Sequence, residues 1–282
     1  MRKLFLLLLI LIPSLCLGQS ITAKHRAVIA AMSGGVADYC SSFTPGDPAD
    51  LFCEDSDGAN TVETGATDWT TARGTDVGYT QTIDTGATWI EAAHSGTLSC
   101  VGKGDYAIEY YTIDAANNGS ESANMEVDIT DSANVYTNFY FNLVSEAMDN
   151  STKVGLVKYC TLEGCAGRAA TLSVWQDASG NLELYLEHQL ADTSYVYTAG
   201  TTALSTGTWY RVGLLWEQSP SEVEVFLNGV SEIASSDVFG TNDIESVLVG
   251  TDDLGSDVNN EAVTIQIDLF AVDNDTMPGA CP

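Results

Sequence analysis

Short runs of alternating apolar and polar residues recur along the chain and predict strands. The clearest stretch is 207–230, which reads GTWYRVGLLWEQSPSEVEVFLNGV. Its apolar residues occupy every second position in 210–216 and again in 223–227, the period of a strand with one buried face. Pro220 separates the two runs and Asn228-Gly229 follows the second. Because proline interrupts a ladder and Asn-Gly favours a tight hairpin, we expect a turn at each of these places.

The same pattern predicts further strands, and turn residues separate them at short intervals. In 135–144, apolar residues alternate with polar residues, which predicts a half-buried strand. Residues 60–97 are rich in Thr and Gly and predict a long, loop-rich excursion with short edge strands. The other strands are predicted at 51–53, 97–101, 106–113, 125–129, 172–175, 182–187, 247–250 and 263–272. These strands, without a helical period, indicate an all-β fold in which two antiparallel sheets pack as a jelly-roll sandwich.

The chain divides into three parts. Residues 1–18 combine a basic start at Arg2 and Lys3 with a short apolar run and small residues, which predicts a signal peptide cleaved near Gly18. Residues 19–50 form a lead segment, and residues 51–282 form the sandwich domain. No later stretch is apolar enough for a membrane helix. We therefore expect a secreted, extracellular protein that does not insert into a membrane.

The acidic composition narrows the classes of partner. The chain has 10 Lys and Arg against 39 Asp and Glu, a net charge of −29. Such a charge repels nucleic acid and anionic membranes and favours solubility. No phosphate-binding loop, Ser-His-Asp set or nucleic-acid motif is visible in the sequence. A partner that is neither nucleic acid nor membrane is therefore expected.

A family resemblance appears in four short places. The stretch 207–230, the segments SVLVGTDD (246–253) and VTIQIDLFAVDN (263–274), and HSGTLSCVG (94–102) together resemble the concanavalin A-like lectin/glucanase superfamily in its laminin-G-like branch. The resemblance implies a jelly roll whose first and last strands pair side by side. It says little about activity, because that superfamily holds lectins, glycosidases, lyases and adhesion modules.

Six cysteines follow the signal segment, an even number that suggests disulfides in an exported protein. Cys160 and Cys165 enclose Thr-Leu-Glu-Gly, a turn-like spacing, and are predicted to pair. The neighbouring first and last strands that the resemblance implies suggest Cys40–Cys281 as a second pair, which leaves Cys53 and Cys100. The cysteine spacing and the three histidines do not suggest zinc.

Calcium is the predicted cofactor, in a structural role. Asp55 and Asp57 precede Gly58 and supply the hard oxygen donors that calcium prefers. In the resembled superfamily a structural cation often ties the first strand to the last, and this implies Asp268 as a third ligand. The alternative is that these residues are ordinary exposed turn acids.

Glu126, Asp128 and Asp131 form a weaker catalytic motif. Glu126 and Asp128 are predicted to project from one face of a strand, and retaining glycosidases need two carboxylates about 5–5.5 Å apart. The stretch resembles the Glu-x-Asp-x-x-Glu signature of laminarinase-type β-glucanases, except that Asp131 stands in place of the acid/base glutamate. Alternating acidic and aliphatic residues also occur on any solvent-facing strand of an acidic protein, so the interpretation leans against an enzyme.

Aromatic residues suited to sugar stacking complete the picture. The candidates are Trp69, Trp89, Tyr136, Tyr140, Trp175, Tyr185 and Tyr195, whereas Trp209 and Trp216 are predicted to be core residues. The leading hypothesis is a lectin-like domain that binds a carbohydrate or a cell-surface polymer. The alternatives are an extracellular adhesion or structural module that contacts protein, and a β-glucan hydrolase that uses Glu126 and Asp128.

Overall fold

The protein is built from two antiparallel β-sheets packed face to face. The computed structural model describes residues 50–54, 79–83, 88–98, 106–113, 123–162, 165, 167–237, 239–240, 242–255 and 262–280. Across these ranges the regular structure consists of fifteen strands. None of the described segments forms a helix with the length and apolar character needed to span a membrane.

The strands follow one another with short connections in the second half of the chain. Their bounds are β1 Asp50–Glu54, β2 Tyr79–Ile83, β3 Thr88–Ala93, β4 Tyr106–Ile113, β5 Ala123–Ser132, β6 Asn134–Ala147, β7 Lys153–Cys160, β8 Arg168–Gln176, β9 Leu182–Gln189, β10 Tyr195–Ala199, β11 Trp209–Gln218, β12 Ser221–Leu227, β13 Val230–Ser235, β14 Ile244–Gly255 and β15 Ala262–Asp273.

The strand order confirms the predicted jelly-roll sandwich. An eight-stranded sheet runs β13-β12-β11-β6-β15-β4-β3, with β1 also paired to β15, and a seven-stranded sheet runs β10-β9-β8-β7-β14-β5-β2. The first and last described strands are antiparallel neighbours, with Glu54 opposite Phe270. Strands β2 and β3 are short and lie at the edges of their sheets. This agrees with the short edge strands predicted for residues 60–97.

The core fills the space between the sheets. Phe139 and Phe141 of the eight-stranded sheet and Leu172 of the seven-stranded sheet are fully buried in one apolar cluster. The hydroxyl of Tyr159 on β7 lies 2.6 Å from the Thr137 hydroxyl of β6. It also lies 2.9 Å from the Leu214 carbonyl oxygen of β11. Burial raises the pKa of Tyr159, so this hydroxyl stays protonated and links the two sheets.

The stretch 207–230 folds as its pattern predicts. Strands β11 and β12 pair, and Asn228 and Gly229 form the turn into β13 with φ angles of 52° and 81°. Asparagine and glycine tolerate this left-handed backbone better than other residues do. The tight hairpin therefore follows from local sequence.

Strand β6 departs from the half-buried prediction because both of its faces are covered. Residues 135–143 are all buried. On the face turned away from the other sheet, Asn142 donates to the Ser95 carbonyl oxygen and Asn138 donates to that of Gly279. Two segments, one before β4 and one after β15, therefore lie over this outer face. Their contacts are non-local, so alternation within β6 could not reveal them.

The strand predicted at 97–101 is tested only at residues 97–98, which have no strand structure, because residues 99–101 lie outside the described residues. The described strand that precedes them is β3, Thr88–Ala93. Gly96 adopts a φ of +80°, and an added Cβ would lie 3.1 Å from the Gly207 carbonyl oxygen. The chain therefore turns at Gly96 and packs on the outer face of the eight-stranded sheet.

Candidate functional site

The predicted catalytic motif lies on the outer face of the seven-stranded sheet, the face turned away from the core. On β5, Val127 and Ile129 point into the core, so Glu126 and Asp128 share the opposite face, as predicted. Asp131 is exposed near the end of the same strand.

Glu126 is held by contacts within the protein. Its side chain is buried, and its Oε1 accepts hydrogen bonds from the Ser246 hydroxyl and from the Cys165 backbone N–H. Cys165 forms the predicted disulfide with Cys160, at a Cα–Cα distance of 5.0 Å. The carboxylate therefore anchors the loop between β7 and β8 to β5 and β14.

Asp268 lies in the last strand, as predicted, and is buried. Its Oδ2 is 2.9 Å from His94 Nε2, and its Oδ1 accepts a hydrogen bond from the Leu269 N–H. The other two predicted calcium ligands, Asp55 and Asp57, lie outside the described residues. Among the residues that the structure describes, no group of three or more His, Cys, Asp or Glu side chains could hold a metal ion together.

A serine, a histidine and an aspartate meet at the edge of the sandwich, although the sequence shows no such set. His188 Nε2 is 3.4 Å from the Ser235 hydroxyl and 3.5 Å from the Asp237 carboxylate. Both groups face the same ring nitrogen, and Nδ1 is buried without a hydrogen-bond partner. In a catalytic triad the nucleophile contacts one ring nitrogen and the acid contacts the other. Because Ser235 and Asp237 both face Nε2, these three residues do not have the geometry of a triad.

The aromatic candidates separate into different environments. Tyr136 and Tyr140 are buried on the outer face of the eight-stranded sheet, and Trp216 is in the core, as predicted. Trp209 is not a core residue: it is half-buried on that same outer face and donates to the Ser95 carbonyl oxygen. Trp69 and the side chain of Trp89 lie outside the described residues.

Three aromatic rings form a row across the outer face of the seven-stranded sheet. Trp175 on β8 lies 5.2 Å from Tyr185 on β9, and Tyr185 lies 6.3 Å from Tyr197 on β10, measured between ring centroids. The row is diagonal to the strands. Tyr185 lies directly opposite Ser173 on β8 and Ala199 on β10, and Trp175 and Tyr197 are each two residues away from those positions. Tyr197 is 55% exposed, while Trp175 and Tyr185 are half-buried.

An ion network borders the aromatic row. Glu187 is buried, and its carboxylate contacts Lys153 Nζ at 2.7 Å and Arg168 Nη2. Lys153 also lies 5.8 Å from the centroid of the Tyr185 ring. The Lys153 and Arg168 side chains remain 28% and 29% exposed. Both cations are therefore anchored and still reach solvent.

Arg168 and two tyrosines complete the arrangement. The Arg168 guanidinium carbon lies 4.6 Å from the centroid of the Tyr195 ring, a cation–π contact. Burial, followed by the negative charge of Glu187, raises the pKa of Tyr185, so its hydroxyl remains a donor at neutral pH. We name as the aromatic patch the set Trp175, Tyr185, Tyr195, Tyr197, Lys153, Arg168 and Glu187.

The sequence pointed to only part of this patch. Trp175, Tyr185 and Tyr195 were among the predicted stacking residues, and the structure brings these three into one patch. Tyr197 and the ion network were missed. The signal for Tyr197 was its spacing of two residues from Tyr195, which places both rings on one face of a strand.

Comparisons with known proteins give similarity in structure alone. No family model and no curated protein matches the sequence. A structure titled Sialidase has a TM-score of 0.51 at 11% identity, over 81% of this chain and 19% of that chain. The binding domain of Paraclostridial Mosquitocidal Protein 1 has a TM-score of 0.49 at 10% identity, over 81% and 49% of the two chains.

A third similar structure is the alginate lyase from Alteromonas sp.272, with a TM-score of 0.39 at 9% identity, over 58% of this chain and 88% of that chain. At such identities, similarity shows the β-sandwich fold and nothing of the activity. This chain spans about a fifth of the sialidase and about half of the mosquitocidal binding domain.

Proposed function

We propose that this protein is a carbohydrate-binding domain and that the aromatic patch is its binding surface. The observation that carries the proposal is the row of Trp175, Tyr185 and Tyr197, whose rings lie side by side on the outer face of one sheet. The rings of this row are partly open to solvent and could contact the apolar face of a sugar. The charged donors that border the row could bind the sugar hydroxyl groups.

The chemistry of a sugar fits this arrangement. The face of an aromatic ring carries a partial negative charge, which attracts the C–H groups on the apolar face of a pyranose. The hydroxyl groups around the sugar rim need hydrogen-bond partners, and Lys153, Arg168 and the Tyr185 hydroxyl supply donors beside the rings. A polymer can extend along the row and contact several rings at once.

The assignment to the laminin-G-like branch of the concanavalin A-like superfamily, and export of the protein, remain part of this proposal. The pairing of β1 with β15 supports the first. The signal-like pattern of residues 1–18 supports the second.

The proposal is tested by removing two rings of the aromatic patch, with thermal unfolding to verify that each variant is folded. Trp175→Ala and Tyr185→Ala should each lower the affinity for a bound polysaccharide at least tenfold in titration calorimetry. Phe226→Ala is the matched control, because Phe226 is a half-buried aromatic residue on the outer face of the other sheet. Affinity that is unchanged in both patch variants, or equally reduced by the control, would contradict the proposal.

We further propose a structural calcium ion bound by Asp55 and Asp57 with Asp268. Strand β1 ends at Glu54, opposite Phe270 and close in register to Asp268. Since both carboxylate oxygens of Asp268 accept hydrogen bonds, calcium binding would replace the contact with His94. A chelator should lower the melting temperature and added calcium should restore it; an unchanged melting temperature would reject the ion.

A further inference from the structure

We propose that the ligand of the aromatic patch is an anionic polysaccharide whose acidic groups are bound by Lys153 and Arg168. The inference rests on the proposed function and goes further by naming the chemical class of the sugar. The acidic groups of such a polymer are carboxylates, which are planar, or sulfates, which are tetrahedral. Both are oxyanions that accept charge-assisted hydrogen bonds. The test below separates them.

Among the described residues, positive charge is unevenly distributed between the two sheets. The chain carries 10 Lys and Arg residues against 39 Asp and Glu. Four of the cations lie within the described residues, and three of these, Lys153, Lys158 and Arg168, are on the outer face of the seven-stranded sheet. The fourth, Arg211, is on the other sheet and donates to Asn138. Within the described part of the chain, the cations are thus concentrated on the face that carries the aromatic row.

Lys153 and Arg168 keep N–H donors that Glu187 does not use. Glu187 contacts one nitrogen of each cation, whereas an ammonium group has three N–H donors and a guanidinium group has five. Within this group of three side chains, one carboxylate between two cations leaves a net positive charge. Glu183 adds a carboxylate to the same face of β9, opposite Trp175. Lys158 lies in the same register row, two strands from Glu126 on one side and two strands from Glu187 on the other. The cations that contact the aromatic rings are Lys153 and Arg168, so we assign the charge directed at a ligand to them.

Thr171 places a further polar group on the same face of the sheet. Its side chain is on the outer face of β8, directly between Lys158 on β7 and Glu187 on β9. It is 6% exposed, and its hydroxyl has no hydrogen-bond partner. Buried hydroxyl groups are nearly always paired. An unpaired hydroxyl next to Glu187, the carboxylate that Lys153 and Arg168 both contact, is a further polar contact for an oxyanion that enters the patch.

Glu187 has a clear role in this site. Its buried carboxylate holds both cations in place while the sugar is absent. When the polysaccharide binds, its acidic group shares the two cations with Glu187. Glu187 therefore positions the cations and also competes with the ligand for them. Removing only its charge should strengthen binding of an anionic polymer, whereas a purely structural role predicts no such gain.

The experiment compares polymers that share a sugar backbone and differ in charge. Polygalacturonate is paired with its methyl-esterified form, and dextran sulfate with dextran, and binding is measured by titration calorimetry at low and high salt. We expect wild type to bind at least one acidic member ten times more tightly than its neutral partner. The polymer pair that shows this preference identifies the oxyanion as carboxylate or sulfate.

Variants then assign the preference to the patch. Glu187→Gln should raise the affinity for the acidic polymer several-fold, and Glu224→Gln, the same change of charge on the other sheet, should leave it unchanged. Lys153→Met alone would leave Glu187 with fewer partners, so it is tested together with Glu187→Gln. In this double variant, the increase in affinity for the acidic polymer that we expect of Glu187→Gln should be lost. Thermal unfolding of each variant verifies that it is folded.

The failures are distinguishable. Equal affinity for acidic and neutral polymers, lost in Trp175→Ala and Tyr185→Ala, overturns the anionic ligand and leaves carbohydrate binding standing. Acidic binding that survives both of these variants overturns the proposed function, since charge alone then explains the affinity. Lower or unchanged affinity in a folded Glu187→Gln variant overturns the role of Lys153 and Arg168. Absence of binding to all four polymers overturns both proposals for these sugars.

Discussion

One buried carboxyl group, at Asp273, makes the stability of the folded protein depend on pH. Asp273, at the end of β15, is buried, and its Oδ1 accepts hydrogen bonds from the N–H groups of Asp275 and Thr276. Burial, with the neighbouring Asp275 carboxylate, raises the pKa of Asp273 from 3.8 to about 7. Tyr136 opposite it has its pKa raised by burial and by its hydrogen bond to Glu217. Acidic groups are thus concentrated at this end of the eight-stranded sheet.

The first prediction concerns Asp273→Asn. Between pH 4 and pH 7 the folded protein holds a proton at Asp273 that the unfolded chain has lost, so the free energy of unfolding falls as pH rises through this window. Asparagine keeps the accepting oxygen and removes the charge. The variant should therefore melt at a higher temperature than wild type at pH 8 and at a similar temperature near pH 3.5.

Thermal unfolding followed by circular dichroism across this pH range checks that prediction. A variant that is less stable than wild type at pH 8 would show that the charged form of Asp273 is favourable in the folded protein.

The second prediction concerns Glu126→Gln. The carboxylate accepts bonds from the Ser246 hydroxyl and the Cys165 N–H, and hydrogen bonds to charged groups contribute about 1.5–3 kcal/mol each. We expect the variant to lower the free energy of unfolding by about 1–3 kcal/mol in denaturant titrations. Asp131→Asn, at an exposed position of the same strand, should have almost no effect. Equal stability of Glu126→Gln and wild type would contradict the proposal that the Glu126 carboxylate anchors the loop between β7 and β8.

At the scale of the element, the sequence was most informative where contacts are local. The alternation in β11 and β12 and the Asn228-Gly229 turn were both predictable, because one strand face and one pair of φ angles determine them. The cover over β6 was not, since it comes from residues 94–95 and 278–279, distant in the chain. Trp209 was misplaced for the same reason: periodicity identifies a face but not what lies on it.

The third prediction concerns the link between the sheets. The Tyr159 hydroxyl lies within hydrogen-bond distance of Thr137 and of the Leu214 carbonyl oxygen, all in the core. Tyr159→Phe leaves these buried groups without their partner, which should cost about 1–3 kcal/mol. Urea unfolding measures the change. Tyr197→Phe, which removes a hydroxyl from an exposed ring, is the control; an equal loss in both variants would contradict the specific role of Tyr159.

At the scale of the whole molecule, the fold was predictable and the site only partly so. Recurrent alternation indicated a sandwich, and the resemblance implied neighbouring first and last strands, which the register confirms. The aromatic patch depends on β7, β8, β9 and β10 lying side by side in that order. Periodicity within one strand does not give the order of strands, so Lys153, Arg168 and Glu187 could not be connected from the sequence alone.

The central claim is that polysaccharide binds to the outer face of the seven-stranded sheet through the aromatic patch. Hydroxyl-radical footprinting, read by mass spectrometry with and without polygalacturonate or dextran sulfate, locates the contact surface directly. The account predicts that the polymer protects Trp175, Tyr185 and Tyr197, while Phe226 on the opposite sheet is labelled to the same extent in both samples. Protection of Phe226 with unchanged labelling of the three patch residues would contradict it.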